Sequence, residues 1–208
     1  MKRILFFLLG VLLSSGAYAQ LGIKAGVNKA VLNGENINGS TSYTTSYHAG
    51  IFYEAKLIGP LSIQPELLYS LQGGNIKTQF EDFDTKLHYF TVPLLAKVRV
   101  GPLFVEGGPQ YSFLLNARKD GNMQVRNSPS SSSIPTYENY AYDATNDFKR
   151  GDFSLCAGAG LKLGALLIGA RFNAGLNNVN DVRNLTGVND ARLKNRVFQG
   201  YVAFQLGH

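Results

Sequence analysis

The sequence predicts an all-β protein: an eight-stranded antiparallel up-and-down transmembrane β-barrel with long extracellular loops and short periplasmic turns. Three observations predict this class. Eight segments alternate apolar and polar residues with a period of two, the faces opposite the apolar residues carry charged side chains, and short connections alternate with long ones along the chain. A membrane barrel turns its apolar face to lipid and encloses the polar face, whereas a soluble sheet buries the apolar face and leaves the charges in water.

The eight segments are recognised by apolar residues at every second position. In chain order, these apolar sets run from Leu21 to Val27 in QLGIKAGVN, Ala49 to Leu57 in YHAGIFYEAKL, Leu61 to Tyr69 in PLSIQPELLYS, Phe90 to Val100 in HYFTVPLLAKVRV, Leu103 to Leu115 in LFVEGGPQYSFLL, Phe153 to Leu163 in FSLCAGAGLKL, Leu166 to Leu176 in LLIGARFNAGLN, and Phe198 to Leu206 in VFQGYVAFQLG. Pro65, Pro93 and Pro109 lie inside these segments. Because proline lacks a ladder donor, we expect bulges or unpaired positions there.

The connections between these segments differ in length in a regular way. The short ones are Ile58-Gly59-Pro60, Gly101-Pro102 and Gly164-Ala165, and the long ones cover about 31–46, 72–86, 116–151 and 178–193. A meander threaded through a membrane has tight turns on the periplasmic side and long loops outside. Aromatic residues near the strand ends, such as Tyr47 and Tyr69, are either interfacial girdles or ordinary strand formers.

The faces opposite the apolar residues carry both acids and bases. The interior of an eight-stranded barrel is just wide enough for side chains to fill it, and charges buried there must be paired. We therefore expect a charged network inside the barrel, formed by Lys24, Glu54, Lys56, Glu66, Lys97, Arg99, Glu106, Lys162 and Arg171. The alternative is that these side chains face water on a soluble sheet.

The first 19 residues predict a secretory signal peptide. Lys2 and Arg3 precede an apolar run of about ten residues, and Ala17-Tyr18-Ala19 has the small-x-small pattern of a cleavage site. The run is shorter than the roughly 20 residues that cross a bilayer comfortably. We expect a signal peptide over residues 1–19 and an outer membrane β-barrel domain over residues 20–208.

Composition excludes several other classes of protein. The net charge of +6 is scattered along the chain, so we expect no nucleic acid partner. The single cysteine, Cys156, excludes an intramolecular disulfide, and its inward position predicts an inert buried thiol.

The three histidines lack metal-ligand spacing, so no metal, no cofactor and no catalytic residue is expected. His48 and His88 fall near the loop side, where His88 with Asp82 or Asp84 would suit a barrel-rim enzyme, but polar rim residues are the preferred interpretation.

The connection over residues 116–151 is the candidate binding surface. It carries Tyr137, Tyr140 and Tyr142 between polar residues, and tyrosine offers a large contact area with a polar tip. The alternative is a disordered tether, which its serine run also favours.

The block FTVPLLAKVRVGPLFVEGGPQYSFLL, Phe90 to Leu115, resembles the PorT-like outer membrane β-barrel family of Bacteroidetes-type bacteria. The matching features are Val92 to Lys97, a tight turn, and Gly108 to Leu115; IKAGVN and GAGLKLG also look like that family. The resemblance implies a barrel in the outer membrane, and some members are associated with protein secretion or gliding. Many such barrels end in an aromatic residue read by the insertion machinery, and here the last aromatic is Phe204.

Together these features predict a non-enzymatic integral protein of the bacterial outer membrane, structural or interactive in role, presenting long loops for partner binding or adhesion. The expected partners are outer membrane lipid, the barrel insertion machinery, and envelope or secretion proteins. One alternative is a component of a PorT-like secretion or gliding machinery, and a second is an enzyme acting at the barrel rim. A soluble periplasmic ligand-binding barrel would need an apolar lumen, whereas the inward positions are charged.

Overall fold

The computed structural model describes residues 19–34, 40–77, 81–125, 136–145, 148–178 and 193–206. Within these ranges no helix is long and apolar enough to cross a membrane. The predicted signal peptide lies outside the described residues except for Ala19, where the first strand begins.

The alternating segments form antiparallel strands of one sheet. Ten strands lie in the described residues: β1 Ala19–Gly34, β2 Ser40–Ser42, β3 Thr44–Lys56, β4 Leu61–Lys77, β5 Glu81–Val100, β6 Leu103–Val125, β7 Thr136–Asp143, β8 Gly151–Leu163, β9 Leu166–Gly175 and β10 Leu193–Gln205. Eight of them make the wall, in the circular order β1, β3, β4, β5, β6, β8, β9, β10. Ile23 of β1 pairs with Ile51 of β3 on one side and with Phe204 of β10 on the other, so the sheet closes into a barrel. The predicted fold class is confirmed.

Side chains alternate between the two faces of this wall in the predicted sense. Ile23 is 51% exposed on the outside, while the next residue, Lys24, is 3% exposed on the inside. The same contrast holds on the far side of the barrel, where Leu94 is 50% exposed and Leu95 is fully buried. Apolar side chains therefore cover the outer wall, and the interior is filled by side chains rather than left as a channel.

The short connections join consecutive wall strands at one end of the barrel. Gly101-Pro102 links β5 to β6 and Gly164-Ala165 links β8 to β9, as predicted. Gly101 has φ of 61° and Gly164 has φ of 64°, values in the left-handed region that side chains with a Cβ rarely adopt. Two-residue connections of this kind hold the strands in tight hairpins.

The long connections are shorter than the sequence predicts, because the strands continue past the segments with apolar alternation. Most of 72–86 is paired between β4 and β5, and much of 116–151 is paired as the end of β6 and as β7. The predicted 31–46 connection likewise contains the end of β1, β2 and the start of β3. Beyond the bilayer both faces of a strand meet water, so the period-two signal disappears although the ladder continues.

The three prolines interrupt ladders without shifting their register. The β3–β4 ladder has no pair at Pro65, the β4–β5 ladder none at Pro93, and the β5–β6 ladder none at Pro109, yet each ladder resumes in the same register. Unpaired positions therefore occur as expected. The bulge lies elsewhere, between His88 and Tyr89 of the β5–β6 ladder.

Candidate functional site

The structure places six of the nine charged residues of the predicted network inside the barrel. Each of the six is at most 5% exposed: Lys24, Glu54, Glu66, Lys97, Glu106 and Arg171. Arg99 and Lys162 are only partly buried, and Lys56 is exposed, so Lys56 does not belong to the network. All three lie next to the short turns, where the wall ends and water reaches the side chains. We call the six buried residues the interior charge network.

Glu66 and Arg171 form the centre of the interior charge network. Arg171 donates Nη1 to Glu66 Oε2 and Nη2 to Glu66 Oε1, both at 2.8 Å. Lys24 donates Nζ to the same carboxylate at 2.8 Å. Bidentate contact between arginine and a carboxylate is among the strongest side-chain hydrogen-bond geometries.

A second carboxylate, Glu106, extends the network toward β5 and β10. Its Oε1 accepts from Arg171 Nη2 at 2.7 Å and from the Tyr201 hydroxyl at 2.9 Å. Lys97 Nζ lies 4.0 Å from Glu106 Oε2 and 3.4 Å from Glu54 Oε2, and it also donates to Gln64. Three cations thus face three carboxylates, which satisfies the requirement that charges buried away from water be compensated.

Aromatic side chains pack against the interior charge network in places where the neighbouring strand carries glycine. A Cβ on Gly160 would lie 2.4 Å from Phe104 Cζ, and one on Gly169 would lie 2.5 Å from Tyr201 Cζ, so only glycine leaves room for these rings. Lys97 lies over the Phe104 ring at 4.6 Å and Lys24 over the Tyr201 ring at 3.7 Å. Tyr201 was missed by sequence reasoning, although it shares the inward parity of Gln199 and Gln205.

A polar layer lies next to the network and contains His48, which the sequence analysis placed at the rim. That placement is wrong: His48 is 1% exposed, and its Nδ1 lies 2.7 Å from Asn28 Oδ1. Asn28 in turn donates to Ser70 Oγ at 3.0 Å and receives a hydrogen bond from Gln199 Nε2 at 3.0 Å. Because the strands extend beyond the apolar segments, a residue near the predicted start of β3 lies inside the barrel.

An apolar cap lies at the end of the barrel with the long connections, on the side of β5 and β6. Phe148, in the connection between β7 and β8, is 6% exposed and packs with interior residues of β5 and β6, together with Ala144. These residues are Leu87, Tyr89, Leu114 and Ala117. Backbone hydrogen bonds from Ala144 N to Ala117 O at 2.8 Å and from Leu114 N to Arg150 O at 2.7 Å hold the connection against β6.

His88 lies on the outer wall, and within the described residues the partner of its side chain is Tyr69 rather than a rim carboxylate. Its Nδ1 lies 2.5 Å from the Tyr69 hydroxyl, and the Tyr69 ring is 6.4 Å from that of Tyr47. The carboxylate of Asp84 accepts from Thr44 at 3.5 Å, and nothing is described of the Asp82 side chain. Within the described residues no group of three His, Cys, Asp or Glu side chains is arranged to hold a metal ion.

The predicted binding surface is a strand rather than a loop. Tyr137, Tyr140 and Tyr142 belong to β7, whose backbone pairs with β6 from Arg118↔Asp143 to Val125↔Thr136. The β6–β8 ladder ends at Phe113↔Gly151, so β7 takes over as the neighbour of β6 beyond that point. The β5–β6 ladder also continues there, as far as Glu81↔Met123.

A closed antiparallel wall with an apolar outer face and a charge-paired interior defines an integral β-barrel membrane protein. The sequence matches the family described as outer membrane protein beta-barrel domain over residues 13–181. The chain belongs to this family, and its location is the bacterial outer membrane.

Solved outer membrane proteins resemble this structure at low sequence identity. Ail of Yersinia pestis has a TM-score of 0.49 at 11% identity, with 91% of this chain and 99% of that chain covered. Neisserial surface protein A has a TM-score of 0.46 at 12% identity, with 89% and 97% covered. OprG of Pseudomonas aeruginosa has a TM-score of 0.43 at 8% identity, with 92% and 97% covered. A search of curated protein sequences gave no match.

Proposed function

We propose that this protein is a non-enzymatic outer membrane protein that presents a β-sheet outside the cell to a partner. The observation that supports the proposal is the extension of β5, β6 and β7 beyond the barrel wall. The β5–β6 ladder continues for about ten residues past Phe113, the last residue of β6 that pairs with β8. At about 3.4 Å per residue, that extension reaches on the order of 30 Å along the strand.

The edge of this extension is suited to recognition. β7 pairs with β6 on one side, and in the described part of the chain no strand pairs with its other edge. An unpaired edge offers backbone donors and acceptors to an added strand, and the tyrosine-rich sequence TYENYAYD supplies contact area. The interior charge network below keeps this scaffold rigid, which lowers the entropic cost of binding.

Photo-cross-linking on intact cells tests this proposal. Benzoyl-phenylalanine at Tyr137, Tyr140 or Tyr142 should give a discrete adduct with a partner protein or glycan, and replacing residues 119–142 by a two-residue turn should abolish it. Leu57, which is 50% exposed near a short turn at the other end of the barrel, is the matched control position. No adduct from any β7 position, or the same adduct from Leu57, would refute a partner at β7.

A second candidate is a role in a PorT-like secretion or gliding machinery. It rests on the resemblance of Phe90 to Leu115, which lie on β5 and β6 and include the Gly101-Pro102 turn. Quantifying secreted proteins in a deletion strain separates the candidates, because deleting a secretion component abolishes cargo export whereas deleting a surface-binding protein does not.

An enzyme acting at the barrel rim is the weaker alternative, since His88 faces outward against Tyr69. Such an enzyme would lose substrate turnover in the variant His88→Ala.

We also propose how the chain reaches the outer membrane and is inserted there. Residues 1–19 would direct export, and the insertion machinery would read β10, whose Phe204 is 47% exposed on the outer wall. Phe204→Ala should then lower the amount of inserted barrel in cells while leaving refolding in detergent unchanged, as judged by heat-modifiable gel migration. Equal loss in both assays would show that Phe204 acts in folding alone.

A further inference from the structure

The membrane-facing wall is uneven. On β4, β5 and β6 it carries large side chains, for example Leu67, Leu94 and Tyr111. On β8, β9 and β10 the corresponding surface contains small residues, among them Ala170 and Gly200, which pair directly with each other. The result is a groove of about 500 Å³ on the outer face.

The groove has an apolar floor and one aromatic wall. Ala157, Ala170 and Gly200 form the floor, and a Cβ on Gly200 would have its nearest neighbour, Val27 Cγ2, at 3.8 Å, which leaves open space above it. Phe172 and Phe198 pack against each other, with ring centroids 4.6 Å apart, and together form this wall. An apolar channel of this shape on a lipid-facing wall suits an extended acyl chain.

Three cations lie at one end of this groove. Lys29 lines it and pairs in register with Phe198, while Arg196 and Lys194 follow on the same face of β10. All three side chains are exposed, and among the described residues none of them forms an ion pair. They lie toward the long connections, which is the side of the outer leaflet.

We propose that this groove binds lipid A, the phosphorylated saccharolipid of the outer leaflet, with one acyl chain on the Ala170–Gly200 floor and a phosphate against Lys29, Lys194 and Arg196. Charge complementarity identifies this occupant, because apolar shape alone would suit any lipid. A second outer groove of about 380 Å³ supports the distinction. It is lined by Ala25, Ala49 and Leu166 near the short turns, and no exposed cation lines it.

Native mass spectrometry of the detergent-purified protein with bisphosphorylated lipid A tests the proposal. The variant Lys29→Gln/Lys194→Gln/Arg196→Gln should bind about 100-fold more weakly, at roughly fivefold per surface cation. Gly200→Leu should weaken binding about tenfold, because it displaces methylene groups of the chain. Lys56→Gln, which removes an exposed cation next to a short turn, and Ala49→Leu, which adds a large side chain to the second groove, should leave binding unchanged.

Several outcomes would overturn the proposal. Equal binding of dephosphorylated lipid A would mean that the phosphate is not recognised. Equal binding of phosphatidylglycerol would mean that the saccharolipid is not recognised. Loss with the triple variant but not with Gly200→Leu would reduce the site to general charge attraction, and equal loss with Ala49→Leu would reduce it to general lipid contact. Heat-modifiable gel migration verifies the fold of each variant, and Ala170→Leu fills the same floor if Gly200→Leu fails to fold.

Discussion

Arg171 and Glu66 join opposite walls of the barrel through two parallel hydrogen bonds of 2.8 Å each. Arg171 lies on β9 and Glu66 on β4, which are four strands apart in a closed wall of eight, so the pair crosses the full width of the lumen. A bidentate contact at this position both fixes the separation of the walls and fills the space between them.

Removing the charge of Glu66 should destabilise the barrel strongly. Glu66→Gln keeps the shape of the side chain but leaves Lys24 and Arg171 buried with less negative charge, a change that costs about 3–5 kcal/mol for buried pairs. Urea-induced unfolding in detergent micelles, followed by circular dichroism, measures the free energy of unfolding.

An exposed carboxylate serves as the control for this variant. Asp120 bonds Arg118 at 3.0 Å and Lys86 at 3.2 Å near the surface, so Asp120→Asn should cost less than about 1 kcal/mol. Equal effects of the two variants would mean that Glu66 is not held in a buried network.

The face of each residue could be predicted from the sequence, but the partners across the lumen could not. Period-two alternation places Lys24, Glu66 and Arg171 inside without any structure. Arg171 and Glu66 are 105 residues apart, and whether they meet depends on the stagger of the strands around the barrel, which alternation does not encode.

The full length of the strands could not be predicted from the sequence either. Lipid imposes the apolar alternation, so this signal ends where the bilayer ends. The sequence therefore predicts a loop over the continuation of β6 and the whole of β7, although their backbones pair with each other. The same limit explains His48, which comes just before the first apolar residue of its segment, Ala49, but lies inside the barrel. Lys56 shows the opposite limit, since inward parity does not bury a residue that ends its strand.

Two glycines of the wall should differ in how much stability they lose when replaced by alanine. Gly160→Ala places its Cβ 2.4 Å from the Phe104 ring and 2.4 Å from Ile168 O, and overpacking of this kind costs about 1–3 kcal/mol. Gly200→Ala meets Val27 at 3.8 Å and should stay within about 0.5 kcal/mol of the wild type. Thermal unfolding in the same detergent compares them, and a larger loss at Gly200 would contradict the packing at Phe104.

Cys156 should be unreactive until the barrel unfolds. The thiol is 6% exposed in the interior, and it donates to Gln110 Oε1 at 3.2 Å. A maleimide reagent should therefore label the denatured protein fully and the folded protein at least 100-fold more slowly, as seen by mass spectrometry, since attack requires an accessible thiolate. Tyr43→Cys, at a position 52% exposed, is the reactive control in the folded protein. Fast labelling of Cys156 in the folded state would mean that the interior is open.

Acid should loosen the extension of β5 and β6. Slight burial raises the pKa of Asp120, but hydrogen bonds from Arg118 and Lys86 outweigh it and hold the pKa below its usual value. A carboxyl with a depressed pKa stabilises the folded state above its unfolded pKa and loses that contribution as the pH falls through the folded pKa. Amide exchange of β5 and β6, corrected for intrinsic rates, should be constant from about pH 5 to 8 and faster below about pH 4. Asp120→Asn should remove most of this change; the same acid response in that variant would assign it to other carboxylates.

Two barriers in series should keep the barrel closed to ions. The interior charge network crosses the lumen, and the cap around Phe148 lies inside the end with the long connections. Glu66→Ala/Arg171→Ala removes one charge of each sign, so the remaining cations and carboxylates stay balanced, yet the cap still blocks the path. Phe148→Ala alone removes part of the cap, but the interior charge network still blocks the path. Single-channel recording in planar bilayers should show conductance well above the wild type only when the three substitutions are combined. Porin-like conductance of the wild type would mean that the interior side chains do not fill the lumen, and opening by Phe148→Ala alone would mean that the network is no barrier.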